Sequence, residues 1–230
     1  MKSEKLNSEQ KELLQEIDSA GVEVNYFLAR KEADDRDEYS SHMKTALLTL
    51  EKVKNDIDTY FERLLLDEKY RNNKREDFYQ IQIDPSKLYG TRIGLREFLG
   101  RYYCFERHKA TIRGESSEFL NSYFWAGDTE TTDNVVDLDK QFGDMDNGYA
   151  YAFFEPPYGI RGSAKEKEAL FHRLERQFFG KFDVKAQIWN WSDECSNYFE
   201  EGNEWWGAYF YTYSLRDSDT ILGVVASATD

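Results

Sequence analysis

Between residues 43 and 64 the apolar positions recur at steps of three and four: Met43, Ala46, Leu50, Val53, Ile57, Tyr60 and Leu64. That is the seam of an amphipathic helix over three heptads. Ser40 or Ser41 is placed to cap it. Upstream, Leu13, Ile17, Ala20, Val24 and Phe27 keep the same spacing. Gly21 interrupts that run at a helix cost of about 1 kcal/mol, which marks a kink or break. A polar stretch over 33–38 separates the two runs. The pattern predicts an antiparallel helical hairpin over residues 8–69. One apolar seam needs a covering surface, either the rest of the chain or a second copy in a four-helix bundle.

The period changes near residue 77. Tyr79, Ile81 and Ile83 alternate with Gln80 and Gln82, which predicts a short strand. Leu95, Phe98, Leu99 and Tyr102 are spaced as a helix, and residues 104–148 show no clear period. Tyr149–Phe154 reads as a strand closed by Glu155-Pro156-Pro157, since proline does not continue a ladder. Ser163 and Glu166 form a capping-box signature. Leu170, Phe171, Leu174 and Phe178 then share a face, with Gly180 as the stop. Alternation predicts further strands at 184–190, 205–215 and 220–228, the last two joined by a hairpin at 216–219. The predicted class is α+β: a helical-hairpin domain over 1–76, then a domain over 77–230 with a mixed, mainly antiparallel sheet ordered β-α-β-β-β at its C-terminal side.

Composition sharpens this division. Only six of the 37 aromatic residues precede residue 77, and the run NEWWGAYFYTY at 203–213 is the densest cluster. Alternation puts Trp206, Ala208, Phe210 and Thr212 on one face, expected under the helix at 163–179. Trp205, Gly207, Tyr209, Tyr211 and Tyr213 take the other, suited to the helical hairpin, the 104–148 region or a partner chain. The net charge of −14 argues against direct nucleic-acid binding, which needs a basic footprint. Such charge serves solubility first, with a basic protein partner or duplex mimicry as the alternative. MKSEKLNSEQKELLQE has no apolar signal core, no run is long enough to span a membrane, and the two cysteines form no framework. A cytoplasmic location without membrane contact is the expectation.

Catalytic and cofactor signatures are missing from the sequence. Gly90, Gly94 and Gly100 match no phosphate loop, and there is no nucleophile elbow or zinc-binding helix pair. Gly143–Gly148 fails the register of a calcium loop. His42, His108 and His172 read as solvated surface groups, and Cys195 behind Asp193-Glu194 as a poor nucleophile. No cofactor and no metal is therefore expected. The topology does suggest one constellation. If the strands at 149–154 and 184–190 are parallel, Glu155, Asp193, Glu204 and Asp230 fall at one end of the sheet. Tyr158, Trp191, Tyr198, Trp205 and Trp206 lie beside them. Those acids are the candidate catalytic residues and those aromatics the candidate binding residues. The leading functional expectation is a non-catalytic interaction protein. It binds itself through the helical hairpin, or a basic protein as an immunity or inhibitor protein does. The first alternative is a hydrolase, on carbohydrate for instance, using the acid rim. The second is a small-molecule sensor stacking its ligand on Trp205 or Trp206.

Overall fold

Asn7 opens the first helix. Its side chain accepts from the Gln10 amide while Gln10 bonds back to Asn7, a complete capping box. Gly21 closes the helix at φ 92°, in the left-handed region that ends a helical ladder. The chain then leaves as a strand. The computed structural model describes residues 1–35 and 37–228. In order, its first elements are β1 (Lys2–Ser3), α1 (Ser8–Ala20), β2 (Val24–Arg30), α2 (Glu38–Leu64), β3 (Gly90–Ile93), α3 (Leu95–Leu99), β4 (Tyr103–Cys104), β5 (Lys109–Arg113) and β6 (Tyr123–Trp125). There follow α4 (Leu138–Phe142), α5 (Gly148–Phe154), α6 (Ala164–Leu174), β7 (Gln187–Trp191), α7 (Glu200–Asn203), β8 (Tyr209–Ser214) and β9 (Thr220–Ala226).

The protein is α+β, with antiparallel sheets. Six strands pair in the order β1-β2-β9-β8-β7-β3, and β4-β5-β6 form a smaller sheet. Every pairing is antiparallel, so the mixed sheet of the sequence pattern is replaced by an antiparallel one. Helix α2 lies on one face of the large sheet, with Ala46, Leu50 and Val53 packed with Phe210 and Val225. Leu13 and Ile17 of α1 pack on the other face, in one core with residues of α3, α5 and α6.

Two predicted elements change identity. The helical hairpin is divided by β2: Val24 and Phe27 belong to a strand paired with β9 from Val24↔Ala226 to Arg30↔Thr220. The spacing of Val24 and Phe27 continues the helical rhythm by coincidence, but a left-handed Gly21 and the β-favouring run Val22–Phe27 decide the matter locally. The apolar seam of α2 is thereby covered by the chain's own sheet over Ala46–Val53. Tyr149–Phe154 is helix α5, not a strand. It is buried almost all round, and an apolar run buried on every side carries no period by which helix and strand differ. Gly148, at φ 67°, lets its start pass Gly100, where an added Cβ would lie 2.6 Å from the Gly100 nitrogen.

The two faces of β8 are also exchanged relative to the sequence reading. Tyr209, Tyr211 and Tyr213 face α5 and α6 rather than a hairpin or partner, and Tyr211 meets Phe98 edge-on at 5.2 Å. Phe210, Thr212 and Ser214 face α2 instead of the helix near 163–179. Of these helices, α6 keeps its predicted capping box at Ser163 and Glu166, then widens into a π-turn over Glu175–Phe179 before Gly180.

Under α2 runs a buried polar network that corrects the reading of His42 as solvated. His42 is fully buried, with Nδ1 2.8 Å from Thr212 Oγ1 and Nε2 3.2 Å from Ser214 Oγ. The Trp191 indole donates to Thr212 Oγ1, and Ser214 donates to Gln187 Oε1. A neutral ring protonated on Nε2 satisfies every member: it accepts from Thr212 and donates to Ser214. Burial, with Lys31 and Arg92 nearby, pushes the His42 pKa down to about 3.

Two predictions follow from this packing. An unfolded chain binds the His42 proton near pH 6.5 whereas the folded chain stays neutral, so stability is complete above about pH 6.5 and declines toward pH 3. Urea unfolding across that window is expected to show a loss of about 1.4 kcal/mol per pH unit from this group, a slope that His42→Gln reduces. Gly223 of β9 faces α2, where an added Cβ would lie 1.9 Å from Thr49 Oγ1. Gly223→Ala should destabilise by about 1–3 kcal/mol in the same assay, with partial recovery in the Gly223→Ala/Thr49→Ala double variant.

Candidate functional site

The register of the large sheet brings four strand ends together. Trp191 ends β7, Tyr209 opens β8, Ala226 closes β9 opposite Tyr209, and Val24 opens β2 opposite Ala226. Glu155, Asp193 and Glu204 sit around this end, by a different route from the one expected. Glu155 follows a helix rather than a strand, yet its carbonyl accepts from the Trp206 indole at 2.7 Å, next to the start of β8. Its carboxylate is held by Arg113 at 2.7 Å, and the same guanidinium donates to the Tyr123 hydroxyl. Asp193 accepts from Asn203 at 2.7 Å. Glu204 is exposed at the end of α7. Asp230 lies outside the described residues.

The predicted aromatics divide in the same way. Trp191 is buried, stacked 6.1 Å from Trp189 and bonded to Thr212, so it belongs to the core under α2. Trp206 is buried between Glu155 and Tyr209. Trp205 and Tyr158 are exposed. Tyr198 bonds to the Asn25 side chain and the Ser227 backbone, and burial pushes its hydroxyl up to about 12. Cys195, also buried, has its thiol pushed up to about 11, first by burial. Among the described residues, no group of three or more His, Cys, Asp or Glu side chains is arranged to hold a metal ion.

Through Tyr198 and Asn25 this rim runs into a groove that sequence reasoning missed. The groove follows the outer edge of β2 and encloses about 260 Å³. Leu14, Ile17 and Asp18 of α1 form one wall, and Thr49, Lys52, Val53 and Asp56 of α2 form the other. The two helices lie on opposite faces of the sheet, so only the sheet's margin can touch both. β2 is that margin, because β1 covers it only from Ala29 to Arg30.

The hydrogen-bonding state of this margin follows from strand geometry. In an antiparallel ladder, successive residues direct their N–H and C=O groups to alternate sides. The Leu28 carbonyl points outward, since it accepts from the Glu4 amide at 2.8 Å. Lys31 points inward, donating to the Asp219 carbonyl at 2.7 Å. By this alternation Asn25 and Phe27 bond to β9, while the N–H and C=O of Val24 and Tyr26 face the groove. No backbone or side-chain partner meets those outward groups among the described residues. The side chains of β2 alternate as well. Val24 and Tyr26 turn toward the α1 side, where the Tyr26 hydroxyl meets that of Tyr149 at 2.9 Å.

Charge is unevenly matched along the groove. Lys52 and Asp56 pair with each other on the α2 wall. Asp18 and Glu23 have no ion-pair partner among the described residues. The Glu23 carboxyl lies above the usual carboxylate range, first through lost solvation and then through the charge of Asp18. Compared with known proteins, the chain matches no family model, no curated protein and no solved structure. The chemistry of the site therefore rests on its geometry alone. Among the described residues, no helix is long and apolar enough to cross a membrane.

An open edge has a direct signature. In amide hydrogen exchange, Val24 and Tyr26 are expected to exchange at least about tenfold faster than Asn25 and Phe27. Equal protection across residues 24–27 would mean that the edge is already paired.

Proposed function

We propose that this chain is a non-catalytic interaction protein that accepts an extended segment of a partner as an added strand beside β2. The observation that carries this reading is the outward backbone of Val24 and Tyr26, without a partner among the described residues, at the floor of a groove walled by α1 and α2. Long open edges invite pairing, and folded proteins normally blunt them with charge, proline or a covering element. Here β1 covers one end, and the remainder lies open but recessed.

Strand addition suits this geometry in two respects. Main-chain bonds to Val24 and Tyr26 supply affinity with little regard to sequence. Side chains of an added strand alternate between the two walls, so Leu14 and Ile17 read one set while Thr49 and Val53 read the other. The rim weighs less: Glu155 is tied to Arg113, and Trp191 and Trp206 are occupied in the core.

The test uses a peptide of alternating threonine and valine, followed by NMR hydrogen exchange on the full chain. At saturation the amides of Val24 and Tyr26 should become protected. Methylating alternate backbone nitrogens of the peptide should abolish that protection in one phase of alternation and spare it in the other. Protection of neither amide at millimolar peptide contradicts the reading.

A further inference from the structure

Resting on the strand-addition reading, we infer that the segment accepted beside β2 is cationic, with a lysine or arginine seated between Glu23 and Asp18. The position follows from where the added strand would run. β1 tracks antiparallel along β2, and its last rung is the Glu4 amide on the Leu28 carbonyl. A segment bonded to Tyr26 and then Val24 continues that track toward the start of β2. It therefore ends beside Glu23, with Asp18 on the last turn of α1 flanking the same mouth.

The charges around this mouth come from α1, the link into β2, α2 and the loop before α6, whose Arg161 guanidinium donates to the Ser19 carbonyl. Asp18 comes from α1, Glu23 from the link into β2, and Lys52 and Asp56 from α2. Lys52 is engaged by Asp56, one turn along the same helix. Glu23 and Asp18 have no ion-pair partner among the described residues. A positive charge placed between two carboxylates offsets their repulsion. The raised position of Glu23 fits that arrangement. The open backbone edge is the binding feature, and the acids select what it takes.

A second copy of the chain is a poorer occupant. The segment Val22–Leu28 contains no lysine or arginine. Antiparallel self-pairing along β2 would bring a second Glu23 and a second Asp18 to the same groove, on a chain already at −14. Like charges brought together in this way oppose the pairing.

The experiment compares two fluorescently labelled peptides that share an alternating threonine–valine centre. One is flanked by lysines and the other by glutamines. Each is titrated into the full chain and into the Asp18→Asn/Glu23→Gln double variant at low and high salt. The lysine-flanked peptide is expected to bind about fivefold tighter or better at low salt. That advantage should shrink with added salt and vanish in the double variant, while the glutamine-flanked peptide binds both proteins alike. Equal affinities, with Val24 and Tyr26 protected by both peptides, would overturn the charge preference and leave strand addition standing. Failure of both peptides to protect those amides would overturn strand addition itself. A native mass of two chains, with the same amides protected before any peptide is added, would instead assign the edge to a second copy.

Discussion

The turn at Gly21 sets the geometry on which the rest of the molecule depends. Its φ of 92° ends α1, and its amide bonds back to Asp18. An added Cβ would lie 3.0 Å from the Gly159 carbonyl, and the neighbouring Ala20 carbonyl accepts from Arg161. The chain is thus pinned between α1 and the loop before α6 as it changes direction. From that point Val24–Arg30 joins the sheet beside β9, and α2 is delivered to the opposite face from α1. The groove exists because the two helices straddle one strand.

Burial on both faces keeps that strand arrangement in place. β8 is buried along its whole length, with tyrosines toward α5 and α6 and Phe210, Thr212 and Ser214 toward α2. On the α2 side, one histidine, one tryptophan and three hydroxyl or amide side chains bond to one another. A network of this kind tolerates little sliding, since each displaced group would be left unpaired in a dry interior. Gly223 contributes by letting Thr49 approach β9 closely. Helix, sheet and edge therefore hold a fixed relation, and a recessed margin with fixed walls can discriminate among extended segments.

Much of this was legible in the sequence. The α+β class, the helix carrying the 43–64 seam, the capping box at Ser163 and the hairpin joining β8 to β9 all follow from period and punctuation, although Asp37 rather than Ser40 or Ser41 caps that helix. Two runs misled for physical reasons. Val24 and Phe27 fall at helical spacing after Leu13 and Ile17, and only the backbone conformation of Gly21 separates them. Tyr149–Phe154 is uniformly apolar, so its period carries no information about helix or strand. His42 has polar neighbours in sequence, but its partners Thr212 and Ser214 lie far along the chain. The candidate site was legible only in part. Asp193, Glu204 and the tryptophans do collect near one sheet end, through antiparallel pairing rather than a parallel crossover. The groove itself was hidden, because an unpaired edge is a property of topology. The one local hint was the β-branched, aromatic run from Val22 to Phe27 directly after a glycine.

The most direct test of strand addition is an isotope-edited NMR structure of the chain bound to the lysine-flanked peptide. Cross-strand proton contacts between the peptide backbone and Val24 and Tyr26, with peptide side chains alternating between Leu14 and Val53, are predicted. Peptide contacts confined to Trp205, Tyr158 or Glu204, with none along β2, would contradict it.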